Sequence, residues 1–190
     1  MPRSTEKPAS YQDLFDLPEH MVGQIIHGML HAHPRPSPSL AIAASTLMMD
    51  IGSPFQRGRD GPGGWRIVFE PELHLDMHVL VPNLAGWRHE HLPELPETAY
   101  FETAPDWVCE IVSPSTARID RTQKLPIYAE HGVAHCWVVD PIARTLEVFQ
   151  LSGGLWQLTS AWSDDDKVRA APFDAIELEL GALWAPQKSA

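Results

Sequence analysis

Residues 105–141, PDWVCEIVSPSTARIDRTQKLPIYAEHGVAHCWVVDP, decide the fold. They hold an apolar run from Trp107 to Val112, a break rich in serine and threonine, a segment of helical composition ending at Gly132, and a second apolar run from His135 to Asp140. Short β-branched and aromatic runs on either side of a helix-length segment read as two buried strands with a helix between them. Pro126 lies inside that helix and removes one backbone donor, which predicts a local disturbance in its middle.

Working outward, VGQIIHGMLHAH (residues 22–33) has β-branched residues around His27-Gly28 and reads as a tight hairpin. LAIAASTLMMDI (Leu40 to Ile51) reads as a packed helix capped at Ser39 with Gly52 just past its end. WRIVFEPELHL (Trp65 to Leu75) and HVLVP (His78 to Pro82) read as two strands joined by a short turn. Downstream, TLEVFQL, GLWQLTSAW and KVRAAPF alternate as antiparallel strands, with turns at Ser152-Gly153-Gly154 and Asp164-Asp165-Asp166. YQDLFDLP from Tyr11 is a short helix stopped at Pro18, and RGRDGPGG lacks the lysine and hydroxyl of a phosphate-binding loop. The expectation is an α/β domain with a mixed sheet, ordered helix, three strands, helix, strand, with additional antiparallel strands at both ends. Residues 1–10 are expected to be a flexible tail and residues 11–190 a single domain.

The 190 residues suit one sizeable core, and 44% hydrophobic with 21% charged is globular composition, so the eighteen prolines mark short connections. No apolar run reaches the roughly 18 residues of a membrane span and the N-terminus lacks a secretory core, so a cytoplasmic location and no membrane partner are expected. Cys109 and Cys136 each sit in an apolar run and read as reduced core thiols. A net charge of -11 argues against a generic nucleic-acid coat, whose affinity comes from lysine and arginine, but leaves room for a local basic groove.

Glu110 is the most informative residue, because both faces of its strand are otherwise apolar. An unpaired buried carboxylate costs several kcal/mol, so such a group is neutralised, ion-paired or metal-bound. Lys124, in the helix that follows, shares a stripe with Asp120 and Tyr128, each four residues apart. If that stripe faces Glu110, ammonium and carboxylate meet over one site; otherwise Lys124 is a solvated helix lysine. Asn83 follows the proline of HVLVP directly.

The segments VGQIIHGMLHAHPRPSPS, GPGGWRIVFEPELHL, VLVPNLAGWR, PDWVCEIVSPSTARIDRTQKLPIYAEHGV and WVVDP together resemble the Uma-type family of bacterial putative restriction endonucleases, within the PD-(D/E)XK nuclease superfamily. The likeness spans roughly residues 11–184 and is most specific from Pro105 to Pro141. It implies a restriction-endonuclease-like core and a metal-dependent phosphodiesterase acting on nucleic acid, DNA favoured, with a homodimer as the assembly. Carried over by residue, the catalytic set is Asn83, Glu110 and Lys124, with Asn83 and Glu110 as metal ligands for Mg2+ or Mn2+. Val112 stands where the superfamily motif has lysine, so that role passes to Lys124. Gln24, Glu70, Glu72 and Tyr128 are auxiliary candidates.

Magnesium prefers oxygen ligands, usually one or two carboxylates with waters and substrate phosphate. Bound there, it lowers the pKa of an attacking water and neutralises charge at phosphorus, while a lysine orients that water or adds positive charge. Two departures weaken the set: Asn83 replaces the family's metal-binding aspartate, and Gln24 stands where many relatives carry glutamate. The alternative reading is therefore a catalytically inactive nuclease fold that serves as a binding or interaction module. His31 with His33, and His89 with His91 and Glu94, also invite a transition-metal reading, but HEHLPELP reads better as a polar loop. Asp106 lies about 13 Å from Glu110 along an extended strand and is not placed on the same ion.

Overall fold

The computed structural model describes residues 8–185, so most of the expected tail lies outside the described residues. Its chain starts with helix α1 (Tyr11–Phe15), whose Ser10 and Asp13 close a capping box, and a hairpin of β1 (Met21–Ile26) and β2 (Met29–Pro34). His27 and Gly28 both take positive φ, the conformation a two-residue turn needs. Helix α2 (Pro38–Ile51) follows, then a π-helical turn at Gly52–Gln56. The cap is Ser37 rather than Ser39, because Pro38 takes the first helical position where no backbone donor is needed. Gly52 keeps φ at -68°, so the helical path runs on instead of ending there.

Two strand assignments change. WRIVFEPELHL is not one strand: Glu70 takes φ 44° and Pro71 has no N–H, which splits it into β3 (Trp65–Phe69) and β4 (Leu73–Leu75) in different sheets. β5 (His78–Leu80) pairs with β4, and β6 (Leu84–Arg88), a strand not expected from the sequence, pairs with both β3 and β7. Four of its five residues are buried, so it shows no alternation, and Gly86 masks it further. A Cβ on Gly86 would come within 3.2 Å of both Trp65 and Trp107, tighter than ordinary packing, so a side chain there would have to displace the indoles by a few tenths of an ångström.

β7 (Trp107–Ile111) runs parallel to β8 (His135–Asp140). Between them lies one helical run: α3 (Ala117–Ile119), a π-helical turn at Asp120–Lys124, and α4 (Leu125–Glu130). The π turn sits immediately before Pro126, where the regular ladder was expected to fail. β9 (Thr145–Ser152) and β10 (Leu155–Ser163) complete a six-stranded sheet in the order β10-β9-β8-β7-β6-β3. The second sheet runs β2-β1-β5-β4. KVRAAPF supplies only β11 (Lys167–Val168), which pairs with β12 (Leu178–Glu179). No helix among the described residues is long and apolar enough to cross a membrane.

Side-chain alternation along β7 then places the chemistry. Trp107, Cys109 and Ile111 point into the core shared with α2 and Phe173, while Val108 and Val112 join the core beneath Leu125, Ile127 and Tyr128. Glu110, between Val108 and Val112, must face the helical run.

Candidate active site

Glu110 is 2% exposed, and every partner it finds comes from that run. Lys124 donates to its carboxylate at 2.8 Å and Tyr128 donates its hydroxyl at 2.7 Å. Lys124 is itself buried and also reaches Asp120 at 3.4 Å and the Val81 carbonyl at 3.2 Å. Three acceptors thus surround an ammonium that carries three protons. π-helical turns are rare and frequently lie at functional sites, and here both Asp120 and Lys124 end up buried within one.

The electrostatics follow from burial. Desolvation pushes the Glu110 carboxyl up to about 7, helped by Asp120 and opposed by Lys124 and Tyr128. Burial by itself would lower Lys124, but the Glu110 and Asp120 carboxylates outweigh it and hold the ammonium charged. Burial, then Glu110, pushes the Tyr128 phenol well up, so it remains a donor. The Cys109 and Cys136 thiols are also raised by burial and stay protonated.

A pH dependence follows with a definite sign. A carboxyl whose native pKa lies near 7, above its ordinary 4.5, holds its proton longer folded than unfolded, so stability is lost as pH rises from 4.5 through 7. At 1.36 kcal/mol per unit the loss is about 3 kcal/mol. Glu110→Gln in metal-free buffer should lack that fall, which urea denaturation across this range measures. A variant curve parallel to the parent's would mean that Glu110 ionises normally.

Glu110, Lys124, Asp120 and Asn83 line one cleft of about 240 Å³, whose walls also carry His33, Arg35, Ser113, Ser115 and Thr116. The Asn83 amide oxygen accepts from the Ile111 N–H at 2.7 Å, tying the start of β6 to the end of β7. Gln24 lines an adjoining cavity instead. Its amide oxygen accepts from Val81 N–H at 2.9 Å, and its nitrogen faces His33 Nε2 at 3.5 Å. Asn83 and Gln24 therefore both accept from backbone donors.

The remaining candidates scatter. Tyr128 stands behind Glu110 in the core. Glu70, raised by burial, sits beside Asn83 through a backbone bond at 2.9 Å and feels the charges of Arg35 and His33. Glu72 belongs elsewhere, accepting from Tyr11 at 2.7 Å and contacting His74 at 2.8 Å. Asp106 binds His91 and the Arg88 N–H at the opposite end of β7. Asp120 is the residue the sequence reading left out of the site; its spacing from Lys124 was visible, but not which face of the helix was buried.

The carboxylates and amide oxygen on the cleft are hard donors that suit a hard cation. Among the described residues no group of three or more His, Cys, Asp and Glu gathers closely enough to hold a metal. The acidic set on the cleft is therefore incomplete for a tightly held ion.

Residues 11–181 match the model of the Uma2 family, described as "Putative restriction endonuclease". A solved structure of "a putative nuclease belonging to DUF820" from Anabaena variabilis superposes with a TM-score of 0.75 at 23% identity, covering 93% of this chain and 98% of that one. None of the curated proteins searched matches.

Proposed function

Because the chain belongs to the Uma2 family of putative restriction endonucleases, we propose that its Glu110–Lys124 cleft hydrolyses phosphodiester bonds of a nucleic acid, DNA favoured, with a divalent cation. The observation that carries this reading is the buried Glu110–Lys124 pair opening onto a cleft that also holds Asp120, Asn83 and a basic rim. Mg2+ or Mn2+ would be held by Glu110 and Asn83, with Asp120 adding charge, and would supply an activated water and charge neutralisation at phosphorus.

The chain's own groups have separate tasks. Lys124 presents a fixed positive charge where a phosphoryl oxygen gains negative charge, and its three acceptors hold it there. Glu110, the buried carboxylate of the cleft, would supply an anionic oxygen for the ion. Tyr128 holds the other side of that carboxyl and fixes its orientation.

A second reading has its own observation. Asn83 and Gln24 spend their oxygens on backbone donors, as residues kept for structure would. On that reading the fold binds without cutting.

Calorimetric titration of the full chain with Mg2+ and with Mn2+, beside cleavage assays on DNA and RNA, tests the proposal. Weak metal binding and cleavage, both lost in Glu110→Ala, are expected. A parent that binds neither ion at millimolar concentration and cuts nothing is the binding module.

A further inference from the structure

We propose that the mouth of this cleft is a phosphate subsite for the nucleic-acid strand, formed by the Arg35 guanidinium and the Ser113, Ser115 and Thr116 hydroxyls. The inference rests on the nuclease reading and adds to it a residue that grips substrate without taking part in the chemistry.

Arg35 follows β2 and is solvent-exposed while lining the cleft. It is anchored by neutral groups: its backbone N–H donates to His20 O at 3.1 Å and its Nε to Glu19 O at 3.2 Å. Several other cations are spent on carboxylates, Lys124 on Glu110 and Asp120, Arg121 on Glu147, Arg144 on Asp164 and Asp165, while Arg66 and Arg169 are spent on backbone carbonyls. No carboxylate lies within ion-pair distance of Arg35 among the described residues, although Glu70 senses its charge. A guanidinium fixed through Nε keeps its terminal nitrogens for the fork that phosphate oxygens accept.

The three hydroxyls that line the same cleft form a connected set with a donor to spare. Ser113 Oγ contacts Ser115 Oγ at 2.9 Å and Thr116 Oγ1 at 3.0 Å. Two contacts consume two of the three hydroxyl protons, which leaves one for an incoming anion.

Charge explains why the entrance needs such a group. Deeper in the cleft Glu110 and Asp120 outnumber Lys124, and the chain carries -11 overall, so an approaching polyanion is repelled unless a cation meets it at the mouth. Arg35 is that cation; His33 beside it donates from Nδ1 to the Pro34 carbonyl at 2.9 Å and turns Nε2 toward Gln24.

Fluorescence anisotropy with a labelled oligothymidylate, in EDTA so that nothing is cut, tests the subsite on the full chain. Arg35→Met should bind about five- to tenfold more weakly, with the slope of log affinity against log salt shallower by about one, as for one lost phosphate contact. Arg35→Lys should fall between, because charge survives without the fork. Inorganic phosphate should compete in the parent and not in Arg35→Met; competition that is equal in both would place the anion elsewhere. A parent that binds oligothymidylate while Arg35→Met matches its affinity and slope overturns the subsite alone. A parent that neither binds nor cuts any nucleic acid overturns the nuclease reading and takes the subsite with it.

Discussion

Lys124→Met is expected to destabilise the protein by about 3–5 kcal/mol, the usual cost of removing one partner from a buried ion pair. The methionine fills much of the same volume, so the loss is electrostatic: Glu110 and Asp120 remain buried facing each other with no cation between them. For a chain of this size the change corresponds to a fall of roughly 10 °C in melting temperature. It should be larger at pH 8 than at pH 5, because the Glu110 carboxyl escapes the penalty by taking up a proton, and stability held by a raised carboxyl pKa is lost as pH rises. Any cleavage should vanish with the ammonium. The double variant Glu110→Gln with Lys124→Met should recover much of the lost stability, since an apolar or neutral replacement of the whole pair avoids the stranded charge. Thermal unfolding of the three variants at both pH values decides the matter; a Lys124→Met variant within about 1 kcal/mol of the parent would mean that the pair is solvated and loosely held.

Asn83→Asp is expected to produce the largest gain. One aspartate oxygen can keep the Ile111 N–H bond that the amide oxygen now accepts, so the start of β6 stays fastened to the end of β7. The other oxygen replaces an amide nitrogen and adds a unit of negative charge to the cleft without a change in volume. Two charges about 4 Å apart interact by roughly 4 kcal/mol at a surface-like dielectric, and a tenfold gain in affinity needs only about 1.4 kcal/mol. Magnesium affinity should therefore rise by at least about tenfold. Without metal the third carboxylate should lower the melting temperature slightly, and magnesium should restore it, whereas the parent barely responds. Cleavage should rise or appear, and Glu110→Ala should abolish it. If Asn83→Asp binds no more metal than the parent and cuts neither DNA nor RNA, the cleft has been rebuilt for binding.

Asp120 shows why part of the site was hidden. It lies four residues before Lys124, which is plain in the sequence, yet such pairs are common on solvated helix faces. What distinguishes this pair is burial on the side facing Glu110, and that depends on how the helical run packs. β6 was hidden for a related reason: LAGWR is buried nearly throughout, and a strand covered on both faces has no alternation to read. Conversely, Glu70 and Glu72 look like neighbours on one strand, and a positive φ followed by proline leaves them in the break between two strands of different sheets.

By itself the sequence determined the local elements around the cleft: the hairpin at His27-Gly28, the buried strands from Trp107 and His135, and the disturbed helix between them. It also marked Glu110 as an acid in an apolar strand. These follow from periodicity, turn chemistry and desolvation, which act over a few neighbouring residues. Only the tertiary structure decided that Asn83 holds Ile111, that Gln24 holds Val81, and that Lys124 is ringed by Glu110, Asp120 and Val81. Most of those partners lie between 14 and 57 residues apart along the chain. No local pattern records which distant donor a buried amide or ammonium will meet, because the pairing is set when the sheets and the helical run close over one another.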